Sequence, residues 1–120
     1  MKTLAVVITL MGACFFMTGR ANAQDPVKVA PKMNKVLVDN EQVRVLDVTL
    51  KPGEKMPMHS HPDNVLYVVS GGTNRSTDAK GKATEHTYKG GECIFRKGET
   101  HMVENIGKKT VHVLNIELKK

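Results

Sequence analysis

Gly53-Glu54-Lys55-Met56-Pro57-Met58-His59-Ser60-His61 is the stretch that decides the fold and the chemistry of this chain. It follows the turn Lys51-Pro52-Gly53, and a single residue separates its two histidines. On an extended chain, residues two apart project from the same face, so both imidazoles reach one point. Imidazole nitrogen suits zinc, iron, nickel and copper, and a third ligand from another strand would fix the geometry. Met56 and Met58 lead into His59. A thioether is a soft ligand that suits copper, but methionines of this kind more often fill the mouth of a barrel.

Outward from this stretch, short runs rich in Val, Leu and Ile at 35–39, 42–50, 65–69, 83–89, 92–95, 102–104 and 110–118 read as strands. Turn-forming clusters separate them, among them Asp39-Asn40, Gly71-Gly72, Lys89-Gly90-Gly91 and Lys97-Gly98. Leu46, Val48 and Leu50 alternate with Asp47 and Thr49, as Leu114, Ile116 and Leu118 do with Asn115 and Glu117. That is the period of strands with one apolar face. No segment after residue 23 sustains a helical spacing, so the class is all-β, a sandwich or barrel. Residues 24–32, with Pro and Lys among scattered Val, read as an extended arm or edge strand rather than a helix.

A chain of 120 residues has room for one domain with one small core. Its 40% hydrophobic and 25% charged residues exclude a disordered or fibrous chain. Residues 1–23 read as a signal peptide: Lys2, an apolar run from Leu4 to Met17, then Ala21-Asn22-Ala23 with cleavage before Gln24. A retained anchor and a lipoprotein site at Cys14 are the competing readings. The apolar run is shorter than the roughly 20 residues of a bilayer span, and it continues past Cys14. The expected destination is periplasmic or secreted, with no membrane association after cleavage.

The formal net charge is +6, but Lys2 and Arg20 fall in the leader, leaving 16 basic against 12 acidic residues. That mild excess, with few aromatic side chains for stacking, argues against nucleic acid as a partner. After cleavage Cys93 is the only cysteine, so no internal disulfide forms; within Glu92-Cys93-Ile94-Phe95 it reads as a buried, inert thiol.

The histidine stretch and a second one near residue 100 together resemble the signatures of the cupin superfamily. Gly53, five residues, His59, one, His61, three, Val65, six and Gly72 reproduce the first signature, with valine where glutamate is usual. Gly90, five residues, Arg96, one, Gly98, two, His101, three and Asn105 reproduce the second, with arginine where proline is usual. The resemblance implies a small double-stranded β-helix, a jelly-roll barrel without a long helix, divided as leader 1–23, arm and first strand 24–39, and barrel 40–120. It implies a divalent metal ion (zinc, iron, manganese, nickel or copper) held by His59, His61 and His101. It also implies a homodimer, for which the arm at 24–32 could add a strand to a neighbour's edge.

Shared parity with His59 and His61 points Val65 toward the metal without an oxygen to give, and Asn64 away from it. Asp63 has the right parity in the turn after Pro62 and is a candidate replacement ligand. Tyr67, on the same parity, is a candidate for orienting a ligand, or else a ring that fills the barrel. Asp63 and Tyr67 are thus the catalytic candidates, while His86 and His112 have no partner at ligand spacing and read as ordinary strand residues. Three functions fit: a metal-dependent enzyme acting on a small anionic molecule, a non-catalytic module for a small ligand or metal, and a metal-free structural barrel.

Overall fold

The computed structural model describes residues 24–120; the expected leader over 1–23 lies outside them. The elements are α1 (Pro26–Val29), β1 (Asn34–Asp39), β2 (Val43–Leu50), β3 (Lys55–His61), β4 (Asn64–Ser70), β5 (Gly72–Asp78), β6 (Ala83–Tyr88), β7 (Cys93–Arg96), β8 (Glu99–Asn105) and β9 (Val111–Leu118). They form two antiparallel sheets, ordered β1-β2-β9-β4-β7 and β3-β8-β5-β6, with the cavity between them. The all-β class and the absence of a long helix are as expected. Among the described residues no helix is long and apolar enough to cross a membrane.

Leu66, Val68, Val111 and Val113 make one buried cluster, and Ala30, Leu50 and Met56 make a second. Val48 packs against both, so β2 carries its inward row as its alternation predicts. Met56 therefore lies in the core, while Met58 faces outward.

Several expectations fail for local reasons. Residues 24–32 are not extended: Asp25 caps α1, its Oδ1 accepting from Val27 N at 2.8 Å, and Pro26 takes the first turn, where a missing N–H costs nothing. The carbonyl of Gln24 accepts from Ser60 N at 3.0 Å, so the arm lies against its own β3. On β4 the buried residues are Asn64, Leu66 and Val68, which turns Val65 and Tyr67 outward. The cause is the Pro62-Asp63 turn, which carries the chain from one sheet to the other and does not transmit the parity of β3. On β9 the buried row is Val111, Val113, Asn115 and Glu117, which puts the leucines and Ile116 on the outer face. Cys93 is exposed because β7 is an edge strand whose odd positions face out.

β5 carried no hydrophobic signal, yet it is a central strand between β6 and β8. Its Thr and Ser residues suit a pleated surface that borders a polar cavity. β3, read as extended only around its histidines, begins at Lys55.

Gly53 and Asn105, the outer members of the two histidine signatures, are bonded to each other: Gly53 N donates to Asn105 O at 2.9 Å, and Asn105 N donates to Glu54 O at 3.0 Å. The Asn105 carboxamide donates to Leu50 O and Lys109 O, both at 2.8 Å, and accepts from Gly107 N at 3.0 Å. Gly53, at φ 80°, occupies the left-handed region that glycine adopts without strain. Because Asn105 is only 1% exposed, Asn105→Ala strands two carbonyls and an amide. The variant is expected to lose about 2–4 kcal/mol of unfolding free energy in a urea titration. A loss below about 0.5 kcal/mol would show that the carboxamide does not hold this corner.

Candidate metal centre

His59 and His61 lie on β3 and His101 on β8, where antiparallel pairing sets His59 directly opposite His101. The ring centroids of His59 lie 4.8 Å from His61 and 4.7 Å from His101, and those of His61 and His101 are 5.6 Å apart. Among the described residues they form a group whose ligand nitrogens all lie within 4.8 Å of one another. Three nitrogens bound to one zinc ion at about 2.1 Å stand roughly 3.4 Å apart, a distance that small ring rotations reach from here.

Hydrogen bonds at the other ring nitrogen fix how each imidazole is presented. His59 Nδ1 donates to the carbonyl of Pro57 at 2.7 Å, and His61 Nδ1 donates to Glu117 Oε2 at 2.8 Å. His101 Nδ1 bonds the Ser76 hydroxyl at 2.9 Å, with Glu99 Oε1 at 3.4 Å. A carbonyl and a carboxylate only accept, so Nδ1 carries the proton in the first two rings and Nε2 keeps the lone pair. Burial, opposed by the Pro57 bond, lowers the pKa of His59 to about 4. Burial, reinforced by the neighbouring imidazoles, lowers that of His101 to about 3. Both rings are therefore neutral at ordinary pH, as a metal ligand must be.

Glu117 is not visible as a site residue in the sequence, where it alternates with leucine and isoleucine. It is 2% exposed and extends a chain of ion pairs: its Oε1 accepts from Arg44 Nε at 2.6 Å, and Arg44 Nη1 donates to Asp25 Oδ2 at 2.6 Å. Burial would raise the pKa of Glu117, but hydrogen bonds from His61 and Arg44 prevail and lower it. Asp25 is likewise lowered: desolvation raises it, but the hydrogen bonds from Arg44 and Val27 and the charges of Arg44 and Lys28 together prevail.

The two catalytic candidates do not face the site. Tyr67 lies on the outer face, 41% exposed. The carboxylate of Asp63 accepts from Gly98 N at 2.8 Å, with Lys97 Nζ 3.7 Å away, and so holds the turn between β7 and β8. Asn64 is buried, its amide donating to Pro62 O at 2.9 Å. The inward position nearest the expected glutamate belongs to Leu66, so no carboxylate stands at that position. Two carboxylates line the cavity near them: Glu99, the parity-mate of His101, held by Arg96 Nη2 at 3.1 Å, and Asp78, opposite His101 in register. His86 also lines this cavity, with its ring 4.3 Å from that of Tyr88, whereas His112 pairs with Asp47 at 2.6 Å. The cavity encloses about 470 Å³ between the sheets, within the range of small-molecule sites.

Comparison with known proteins agrees with this geometry. The cupin domain family matches residues 46–117, which contain all three histidines. The chain belongs to the cupin family. A cupin domain from Bordetella pertussis has 26% identity over 72% of this chain and 92% of its own, with a TM-score of 0.67. An RmlC-like cupin family protein with a double-stranded β-helix fold from Methanocaldococcus jannaschii has 24% identity over 72% of this chain and 78% of its own, at a TM-score of 0.57. No curated protein matches the chain.

In this cupin the buried neutral rings make stability depend on pH. The ordinary value for histidine is 6.5, and the folded values are about 4 for His59 and about 3 for His101. Below 6.5 the unfolded chain binds protons that the fold does not, so their stabilisation is complete above that pH. It is lost progressively until the folded rings themselves titrate. Chelator-treated protein is expected to melt at a constant temperature down to about pH 6.5, then lose about 1.4 kcal/mol per pH unit for each buried ring. His101→Gln should make this decline shallower. A wild-type melting temperature that stays flat to about pH 4.5 would contradict the burial of neutral rings.

Proposed function

We propose that this cupin is exported, holds one divalent metal ion through Nε2 of His59, His61 and His101, and presents it to a small anionic molecule in the cavity. The observation that carries this reading is the meeting of three buried rings whose Nδ1 atoms are each engaged from behind, by acceptors that leave the Nε2 lone pair free in His59 and His61 and by the Ser76 hydroxyl in His101. Zinc, iron, nickel and copper all suit such a donor set, and manganese, which favours oxygen, suits it least. A bound divalent ion would supply Lewis acidity to an oxygen of the ligand. Glu117 orients His61 from behind, and Glu99 lines the cavity wall opposite His61.

A non-catalytic module for a metal or small ligand is the second reading, and one feature favours it. Both carboxylates that line the cavity are engaged, Glu99 by Arg96 and Asp78 by the amides of Lys80 and Lys82. Turnover with a panel of small acids separates the two.

Elemental analysis of natively exported protein tests the metal. About one ion per chain is expected in the wild type and none in His101→Ala. Glu117→Gln should bind the same ion with about 10–100-fold lower affinity. Equal metal in wild type and His101→Ala rejects the site, and metal-free native protein leaves a structural barrel.

Export is supported by the basic, apolar and small-residue sequence of the leader, and by the bonds of Gln24 and Asp25 to the barrel, which a cut before Gln24 would leave intact. A homodimer is supported by the outer face of the five-stranded sheet. Register aligns Val38, Val45, Ile116, Val65 and Phe95 into one apolar row across all five strands. Phe95 is 58% exposed and Val38 42%. Such a row, repeated by a twofold axis, is self-complementary. Light scattering should give twice the mass of one chain for the wild type and a single mass for Ile116→Lys; a monomeric wild type removes the dimer.

A further inference from the structure

The cavity contains polar groups that the three histidines do not use. Asn115 is 4% exposed, and its Oδ1 is buried without a hydrogen-bond partner. On β9 it is flanked in register by Leu46 and Leu66, which offer no donor. Asn74, on β5, also has a buried Oδ1 without a partner, and both residues line the cavity beside the histidines. Asn34 Oδ1 is a third such oxygen on this cavity, its amide being held by Pro26 O and Ala30 O. An unpaired buried carbonyl costs about 1–3 kcal/mol, so three lining one cavity call for a ligand that brings donors.

Arg96 lines the same cavity at the position where the cupin signature has proline. One of its amino groups holds Glu99 at 3.1 Å, and the fork geometry of a guanidinium leaves further donors for a second acid. Leu66, Ile94, Val103 and Val113 supply apolar wall between these polar groups.

We propose that the cavity binds a small hydroxylated carboxylate, its acid group at Arg96 and its hydroxyls at the carboxamides of Asn74 and Asn115. A hydroxyl both donates and accepts, which matches a carboxamide in either orientation. The charge preference rests on the metal reading. A divalent ion among three neutral imidazoles meets one net negative charge from Asp25, Arg44 and Glu117, while Arg96 with Glu99 and Lys82 with Asp78 cancel at the cavity wall. The hydroxyl preference rests on the amides alone.

Gluconate and hexanoate test this, since both are six-carbon monocarboxylates and one of them carries hydroxyls. Zinc stoichiometry is measured first and decides the metal reading by itself. Binding is then followed by the side-chain amide resonances of Asn74 and Asn115 in zinc-loaded protein. Gluconate is expected to shift both and to bind at least tenfold more tightly than hexanoate. Asn115→Leu, with its strand resonances and zinc content unchanged, should reduce that preference to less than threefold, and Arg96→Gln should weaken both acids. If zinc does not load, the same comparison in metal-free protein still decides the amide site. Equal affinity for the two acids in the wild type, or an undiminished preference in Asn115→Leu, overturns the proposal, and the two amides are then satisfied by water.

Discussion

Antiparallel pairing of β3 with β8 places His59 directly across from His101 and His61 across from Glu99, and the centre of the molecule depends on that register. Directly opposed residues hold their side chains roughly 5 Å apart, so the strands bring the rings together and no loop is needed to aim them. A slip of one residue would send them to opposite faces. The pairing is secured at its far end, where Gly53 N donates to Asn105 O and Asn105 N donates to Glu54 O. The outer members of the two signatures therefore serve the histidines by locking the pair of strands that carries them.

The ion chain from Asp25 through Arg44 and Glu117 to His61 imposes a second constraint, which crosses elements distant in sequence. A carboxylate as buried as Glu117 is costly by several kcal/mol unless it is paired and hydrogen-bonded on both oxygens. Here Arg44 takes Oε1 and His61 takes Oε2, while Asp25 completes the arginine. The carboxylate of Asp25 has two uses, since its other oxygen caps α1. Losing Arg44 would leave the Glu117 carboxylate buried without a counter-charge, and Asp25 helps hold that arginine in place, so the arm ahead of β1 is structurally part of the histidine site.

What the sequence made legible divides along the same lines. The two gapped signatures have enough fixed positions to specify the fold and the three histidines, and strands with β-branched runs announced themselves. Side-chain direction was legible within a strand but not across a turn. Parity taken from His61 through Pro62 and Asp63 assigned Val65 and Tyr67 to the cavity, whereas the chain changes sheets there and Leu66 faces in. On β9 hydrophobicity pointed the wrong way, because the cavity is polar and the outer face apolar. Asn115 and Glu117 lie inside, while Leu114 and Ile116 cover the outside. The arm was misread because proline was taken as a mark of extended chain, when Asp25-Pro26 is also a helix start.

The absence of the usual glutamate acquires a different meaning once Glu117 is in view. In the cupin signature a carboxylate would bind the metal and neutralise part of its charge. Here Leu66 occupies the inward position, and the nearest buried carboxylate stands behind His61 at Nδ1. A carboxylate there still opposes the charge of an ion, through an imidazole it makes more basic, while occupying none of its coordination positions. Negative charge has moved from ligand to hydrogen-bond acceptor, which leaves a three-histidine face open toward the cavity. An oxygen from outside the chain would complete such a face best. The cavity wall, with Arg96 and three unpaired carboxamide oxygens, has the groups to select which molecule brings it.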